Sequence, residues 1–208
     1  MKNSSITPAQ FKQQLLDLGS IISNGLAYFA TWRTLMVDND YAAQALNRYR
    51  GFFLTARDAM LWMSLMQFAK IFDRDRRAVS IRNLLIEARK NPKVLVPYAK
   101  ATELDDIEAR MATNEAVLEQ LKAVRDQRIA HHDAIKASDR HLLYGDVSRL
   151  VEDIKYIYNE LNQLHDGIIW NFDHLTKSAE QHTSEVIRIM CEESDRAKKS
   201  IEDIESKL

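Results

Sequence analysis

The chain has 208 residues, 46% of them apolar, and a formal net charge of −1. That composition excludes a disordered chain, and the length suits one domain with a sizeable core, with or without an appendage. A near-neutral total also excludes a global pull toward nucleic acid or membrane, so a polyanion would have to be held by a local patch.

The single cysteine, Cys191, excludes an intramolecular disulfide framework and a cysteine-rich zinc site, and it fits a reducing cytoplasm. Met1-Lys2-Asn3-Ser4-Ser5 lacks the apolar core of a signal peptide, so a cytoplasmic location is expected. Five glycines, three prolines and the lack of alternating β-branched runs predict an all-α protein. Its expected form is an antiparallel helical bundle with long N- and C-terminal helices.

Thr7-Pro8-Ala9-Gln10 predicts a sharp helix start: a threonine cap, proline at the first helical position and glutamine three residues after the cap. Phe11, Leu15, Leu18, Ile22, Leu26, Phe29 and Leu35 carry that helix to a turn at 37–40. Gly19 and Gly25 each weaken it by roughly 1 kcal/mol relative to alanine, unless they allow close helix packing. A second helix is expected from about Tyr41 to Phe72. Its later half is apolar on most faces and so is expected to be buried by neighbours. Ser64, Gln67 and Lys70 interrupt that run, and a membrane span needs about 20 mostly apolar residues, so no span is expected.

Asp73-Arg74-Asp75-Arg76-Arg77 leads to a short helix capped by Ser80, then an irregular segment bracketed by Pro92 and Pro97. Between 70 and 100 the chain carries nine basic and three acidic side chains. Such a run fits either a solvated surface or a rim that holds phosphates, with Arg74, Arg76, Arg77 and Arg82 as the rim candidates. Leu104, Ile107 and Met111 open the next helix, with a break expected at Thr113-Asn114, since either could cap a new one. Val117, Leu121 and Val124 lead into Arg125. A loop is expected over 134–145, then a helix capped by Asp146 whose apolar face runs from Val147 to Leu175. Ile187, Met190, Ser194, Ala197, Ile201, Ile204 and Leu208 form a heptad-like seam. The expected organisation is a bundle over 1–177 and an amphipathic C-terminal helix over 178–208, which packs on the body, pairs with another chain or stands free, the first two being favoured.

The densest chemistry lies in 124–133, Val-Arg-Asp-Gln-Arg-Ile-Ala-His-His-Asp. A guanidinium can bind two phosphate oxygens, and a histidine with a pKa near 6.5 can take or give a proton at neutral pH. RNA supplies its own nucleophile, so a base, an acid and a cation on the phosphate suffice for cleavage. One chain presents few such groups, and a two-fold axis beside the stretch would double them. At about 100° per residue, His132 lies about 20° from Arg125 around an unbroken helix and His131 about 120°. Two other readings of these residues fit less well or explain less. One is a polar network at a dimer interface. Another is a metal site of His131, His132, Asp133 and His141, which lacks the usual ligand spacing. His165 and His174, for their part, read as packing or surface residues.

Arg125-Asp126-x-Arg128-Ile129-Ala130-His131-His132-Asp133 resembles the signature of HEPN domains: arginine, a polar residue, a four-to-six-residue spacing and histidine. In this extended form it resembles the HEPN-like subgroup associated with bacterial abortive infection, the U type. The Phe72-Asp73-Arg74 turn, Ser80-Ile81-Arg82-Asn83-Leu84-Leu85 and Tyr144-Gly145-Asp146 look similar too, so the resemblance spans about 41–175. It implies an all-helical homodimer with a composite site, acting as a metal-independent endoribonuclease of a phage-defence or toxin–antitoxin system. It also implies an RNA substrate, a possible antitoxin partner and no cofactor. Arg125 becomes the phosphate ligand, Asp126 its polar neighbour, His131 the acid/base and Arg128 a supporting cation. The Ala-His form of the motif favours His131, whereas helical register favours His132, and that choice stays open. The alternative is a catalytically silent helical dimer that binds a protein partner or a nucleotide.

Overall fold

The computed structural model describes residues 6–100, 102–125 and 143–206, without the side chains of Val124 and Arg125. Among the described residues the protein is all α. The helices are α1 Pro8–Leu35, α2 Asp40–Asn47, α3 Arg50–Ile71, α4 Ile81–Lys90, α5 Pro92–Leu95, α6 Glu103–Thr113, α7 Glu115–Arg125, α8 Tyr144–Asp166 and α9 Asp173–Glu205. No described helix is long and apolar enough to cross a membrane. The chain forms two compact units, Met1–Gly25 with Leu65–Phe172, and Leu26–Ser64 with Asp173–Leu208.

In the first unit α1 begins with the expected capping box. Gln10 N donates to Thr7 Oγ1 at 3.2 Å, and Thr7 N donates back to Gln10 Oε1 at 2.9 Å. Phe11, Leu15, Leu18 and Ile22 are buried, as are Leu150, Ile154, Ile157, Tyr158 and Leu161 of α8. Tyr158 donates its hydroxyl to the carbonyl of Leu15 at 3.1 Å. Gly19, one turn along α1, makes this approach possible: a Cβ there would lie 2.5 Å from the Tyr158 hydroxyl. Gly25 does the same for α3, where a Cβ would lie 2.8 Å from the Phe68 ring. Both glycines are thus close-packing residues, and the contacts they permit offset their low helix propensity. Ser80 caps α4 as expected, accepting from Asn83 N at 3.3 Å. His165 is buried, lies 5.0 Å from the Phe11 ring and donates Nδ1–H to the Leu95 carbonyl at 2.5 Å. It is a packing residue, and His174 is exposed.

Four expected boundaries are corrected. The second helix is two, α2 and α3, broken at Arg48-Tyr49, where the Tyr49 and Phe52 amides turn back onto the Leu46 and Tyr49 carbonyls. Asn47 and Gly51, both poor helix formers, flank the break. The segment after Pro92 closes one helical turn, α5, before turning irregular. Asp146 is not the cap of α8, because the helix starts at Tyr144 with Leu143 in the cap position and no side-chain cap bond. Asp146 instead sits in the first turn, where a negative charge suits the helix dipole. The long apolar face to Leu175 does not belong to one helix. Gly167 ends α8 in the left-handed conformation at φ 75°, a backbone state that suits glycine. The segment that follows is pinned to α8 by side-chain amides. Asn162 donates to the Ile168 carbonyl at 2.9 Å, and Trp170 N donates to Asn159 Oδ1 at 2.8 Å.

In the second unit Asn39 caps α2, accepting from Ala42 N at 2.8 Å. Ala42 and Ala45 pack with Cys191 of α9, flanked by Val37, Ile187 and Met190. Small side chains on both helices allow this approach, and Ser194 of the seam is buried with them. Beyond Ser194 the seam changes character, since Ile201 and Ile204 are exposed. Tyr41 donates its hydroxyl to the Asp195 carboxylate and lies 3.3 Å from the Cys191 carbonyl. The bond to Asp195 is the main reason its pKa is pushed up to about 12.

Gly19→Ala is expected to destabilise the protein by about 1–3 kcal/mol through overpacking against Tyr158. Gly51→Ala, where nothing lies within 4 Å of the added Cβ, should leave stability unchanged or raise it by up to about 1 kcal/mol. Urea denaturation of the two variants distinguishes them, and equal losses would refute the close-packing role. For Tyr41, the fold favours the protonated phenol. Its contribution is therefore complete below the ordinary value of 10 and is lost as pH rises through about 12. Subtracting the absorbance titration of Tyr41→Phe from that of the parent should isolate one phenol ionising near 12. A midpoint near 10 would count against the Asp195 bond.

Candidate functional site

The site is organised by α7, because its last residue, Arg125, opens the charged stretch. α7 is fixed at its first turn. Asn114, between α6 and α7, is buried, and its amide donates to Asp153 Oδ2 of α8 at 2.9 Å and to the Arg110 carbonyl at 3.1 Å. Arg110 Nε donates to the other carboxylate oxygen of Asp153 at 2.7 Å. The Arg110 guanidinium also lies 3.9 Å from the centroid of the Tyr156 ring, a cation–π contact. Asn114 therefore breaks the helix where the sequence predicts, with its amide committed to a neighbouring helix. Leu121 is buried one face along, so α7 is held at both its start and its middle.

A second face of α7 lines a cleft of about 260 Å³. Its floor is apolar, from Phe72, Met111 and Leu118, and its rim is charged. Arg74 pairs with Glu115 and, at 2.7 Å, with Glu119, one helical turn further on. Arg82 of α4 reaches Glu115 at 3.7 Å. The turn that presents Arg74 is built locally. Asp73 Oδ1 accepts from Asp75 N at 2.9 Å, and Asn83 of α4 donates to the Asp75 and Ala78 carbonyls at 2.7 and 2.8 Å. Arg77 folds back on Asp75, with Nη2 at 2.6 Å, and this pair holds the Asp75 carboxyl down at about 2.

Of the four rim candidates, Arg74 and Arg82 are thus brought together on Glu115, Arg77 lies on Asp75, and Arg76 is exposed. Lys122 also lines the cleft, three residues before Arg125. Asp126, Arg128, His131 and His132 lie outside the described residues, as does the His131, His132, Asp133 and His141 metal alternative. Asp153, Glu115 and Glu119 escaped the sequence reading, and Asn114 was read there only as a helix break and cap. A signal for Glu115 and Glu119 was present: residues 103–119 carry six carboxylates against one arginine, the complement of the basic run before them.

The family model for AbiU2 of the HEPN type, HEPN_AbiU2, matches residues 9–186. The chain belongs to the HEPN AbiU2 family. The match takes in α7, the whole of 124–133 and the first part of α9. It also agrees with the all-α fold. No curated protein and no solved structure matched this chain.

The Asn114–Asp153 bond should be energetically coupled. Each of Asn114→Ala and Asp153→Ala leaves a buried polar partner unsatisfied, at about 1–3 kcal/mol. A double-mutant cycle read by urea denaturation is expected to give a coupling of about 1 kcal/mol or more. Strict additivity would show that the bond does not hold α7 to α8.

Proposed function

We propose that this HEPN AbiU2 protein is a metal-independent endoribonuclease that acts as a homodimer in phage defence or as a toxin. One observation carries the reading: the Arg125-to-His131 signature lies inside the family match, beginning at the last residue of a helix anchored to the core. Arg125 binds the scissile phosphate and offsets the charge that develops on it. A histidine, His131 in this reading with His132 as the alternative, takes the proton of the RNA 2′-hydroxyl. The 2′-oxygen bonds to phosphorus as the bond to the 5′-oxygen breaks. The leaving oxygen receives a proton from the acid of the site, which yields a 2′,3′-cyclic phosphate and a 5′-hydroxyl. Asp126 and Arg128 adjust the charge around the site. A second copy across a two-fold axis supplies the paired arginine and histidine, so that base and acid come from different chains.

The cleft beside α7 gives this reading a place for RNA next to Lys122. Its arginines already carry carboxylate partners, so phosphate binding there requires exchange of Glu115 and Glu119 for RNA. A catalytically silent helical dimer that binds a protein partner or nucleotide is the competing reading.

Purified protein incubated with cellular RNA in EDTA is expected to cleave it. Arg125→Ala and His131→Ala should each lower the rate at least about a hundredfold. His132→Ala tells which histidine acts. Light scattering should report twice the 24.1 kDa chain mass. Absence of cleavage at any concentration, or equal rates in the variants, leaves the silent dimer.

A further inference from the structure

A different charged surface lies in the unit of 26–64 and 173–208. From Arg48 to Arg57 the chain reads Arg-Tyr-Arg-Gly-Phe-Phe-Leu-Thr-Ala-Arg, without a carboxylate. Arg48 and Arg50 are exposed, and no carboxylate among the described residues pairs with either. Among the described residues Arg57 pairs with its neighbour Asp58 alone, at 3.8 Å. The arginines at 74, 77, 82 and 89 all lie on carboxylates. The positive charge of the α2–α3 corner is therefore the less compensated, although the 70–100 run is the richer in bases.

The same corner exposes aromatic surface. Phe52 is 69% exposed and Tyr49 is exposed beside it. The Phe52 ring stands edge-on to Phe53, with centroids 5.2 Å apart and planes at 82°. Phe53 in turn lines a shallow groove of about 150 Å³ with Leu54, Arg50 and Arg57. Arg50, Phe53, Leu54 and Arg57 are spaced i, i+3, i+4, i+7, so they form one stripe on α3, with its two guanidinium-bearing positions about 10 Å apart along the axis.

We propose that this corner, with Arg48, Tyr49, Arg50, Phe52 and Arg57, binds single-stranded RNA. The arginines hold phosphates, and the exposed rings stack on bases. Exposed rings among arginines that have little carboxylate pairing among the described residues match the alternation of base and phosphate in a single strand. The choice of RNA as the polyanion rests on the ribonuclease reading, whereas the cation–aromatic surface is independent of it.

The test is fluorescence anisotropy of a 5′-labelled twelve-residue uridine oligonucleotide with the full chain carrying Arg125→Ala, so that the probe stays intact. Adding Phe52→Ala should weaken binding by about fivefold to a hundredfold. Adding Arg50→Ala with Arg57→Ala should lower the slope of log affinity against log salt by about 1.4. Thermal melting should be unchanged in both, since the altered side chains are exposed or at a groove rim. A double-stranded RNA of the same length should be far less sensitive to Phe52→Ala. Undiminished binding by the corner variants, or no binding by the starting protein, overturns the proposal. So does conversion of a dimer to a monomer by Phe52→Ala, which would assign the surface to a second copy. If the corner variants bind normally while Arg125→Ala abolishes cleavage in otherwise unaltered protein, this proposal alone fails. If the oligonucleotide binds through the corner yet unaltered protein cuts no RNA, the ribonuclease reading alone fails.

Discussion

Asp153 is a buried carboxylate in the middle of an apolar helix face, and the placement of the candidate site depends on what it binds. Its two oxygens take Arg110 Nε and the Asn114 amide, which join the end of α6 and the start of α7 to α8. A buried charge without partners would cost several kcal/mol, so this arrangement has few alternatives of comparable energy. With Asn114 fixed, the register of α7 is fixed. Leu121 then faces the core, Glu115, Glu119 and Lys122 face the cleft, and Arg125 closes the helix. The Arg125-to-His131 stretch thus begins at the last residue of a helix tied to the core through Asn114 and Leu121.

Charge is distributed by the same packing. The basic run of 70–100 faces the acidic run of 103–119 once α4, α6 and α7 assemble: Arg74 and Arg82 on Glu115, Arg89 on Asp105 and Glu108. These pairs are partly exposed, so each adds little stability. Their larger consequence is to compensate much of a patch that looks cationic when counted along the chain, while Lys70, Arg76 and Lys93 stay exposed. The α2–α3 corner shows the opposite: a shorter run of three arginines has a single weak carboxylate neighbour among the described residues. Net charge per segment is therefore a poor guide to surface potential where acids and bases of different helices are brought face to face.

Much of the helical architecture was legible because its signals are local. Thr7 and Gln10 make their capping box, Ser80 caps α4, and Thr113-Asn114 breaks the chain between α6 and α7. Two of the misreadings share a cause: the breaks at Arg48-Tyr49 and at Gly167 are short exposed interruptions between helical segments, and apolar residues recur at helical spacing on either side of them. Gly167 was a visible signal, but its left-handed φ becomes decisive only with Asn159 and Asn162 holding the following strand of backbone. In the candidate site, Arg125 could be singled out by residue type and spacing. Its supporting shell could not, because Asn114 and Asp153 are 39 residues apart in sequence.

Sequence alone was enough for the helical class, the caps at Thr7 and Ser80, the glycines of α1 as sites of either weakness or close approach, and the resemblance to HEPN domains carried by Arg125 to His131. All of these depend on neighbours within a few turns of one another or on residue identity alone. The tertiary structure decided that Gly19 and Gly25 admit Tyr158 and Phe68, and that Asp153 is satisfied by α6 and α7. It also decided which arginines are compensated and which are left to solvent. Those outcomes depend on pairs of groups distant in sequence that desolvate together, and a one-dimensional pattern carries no term for that.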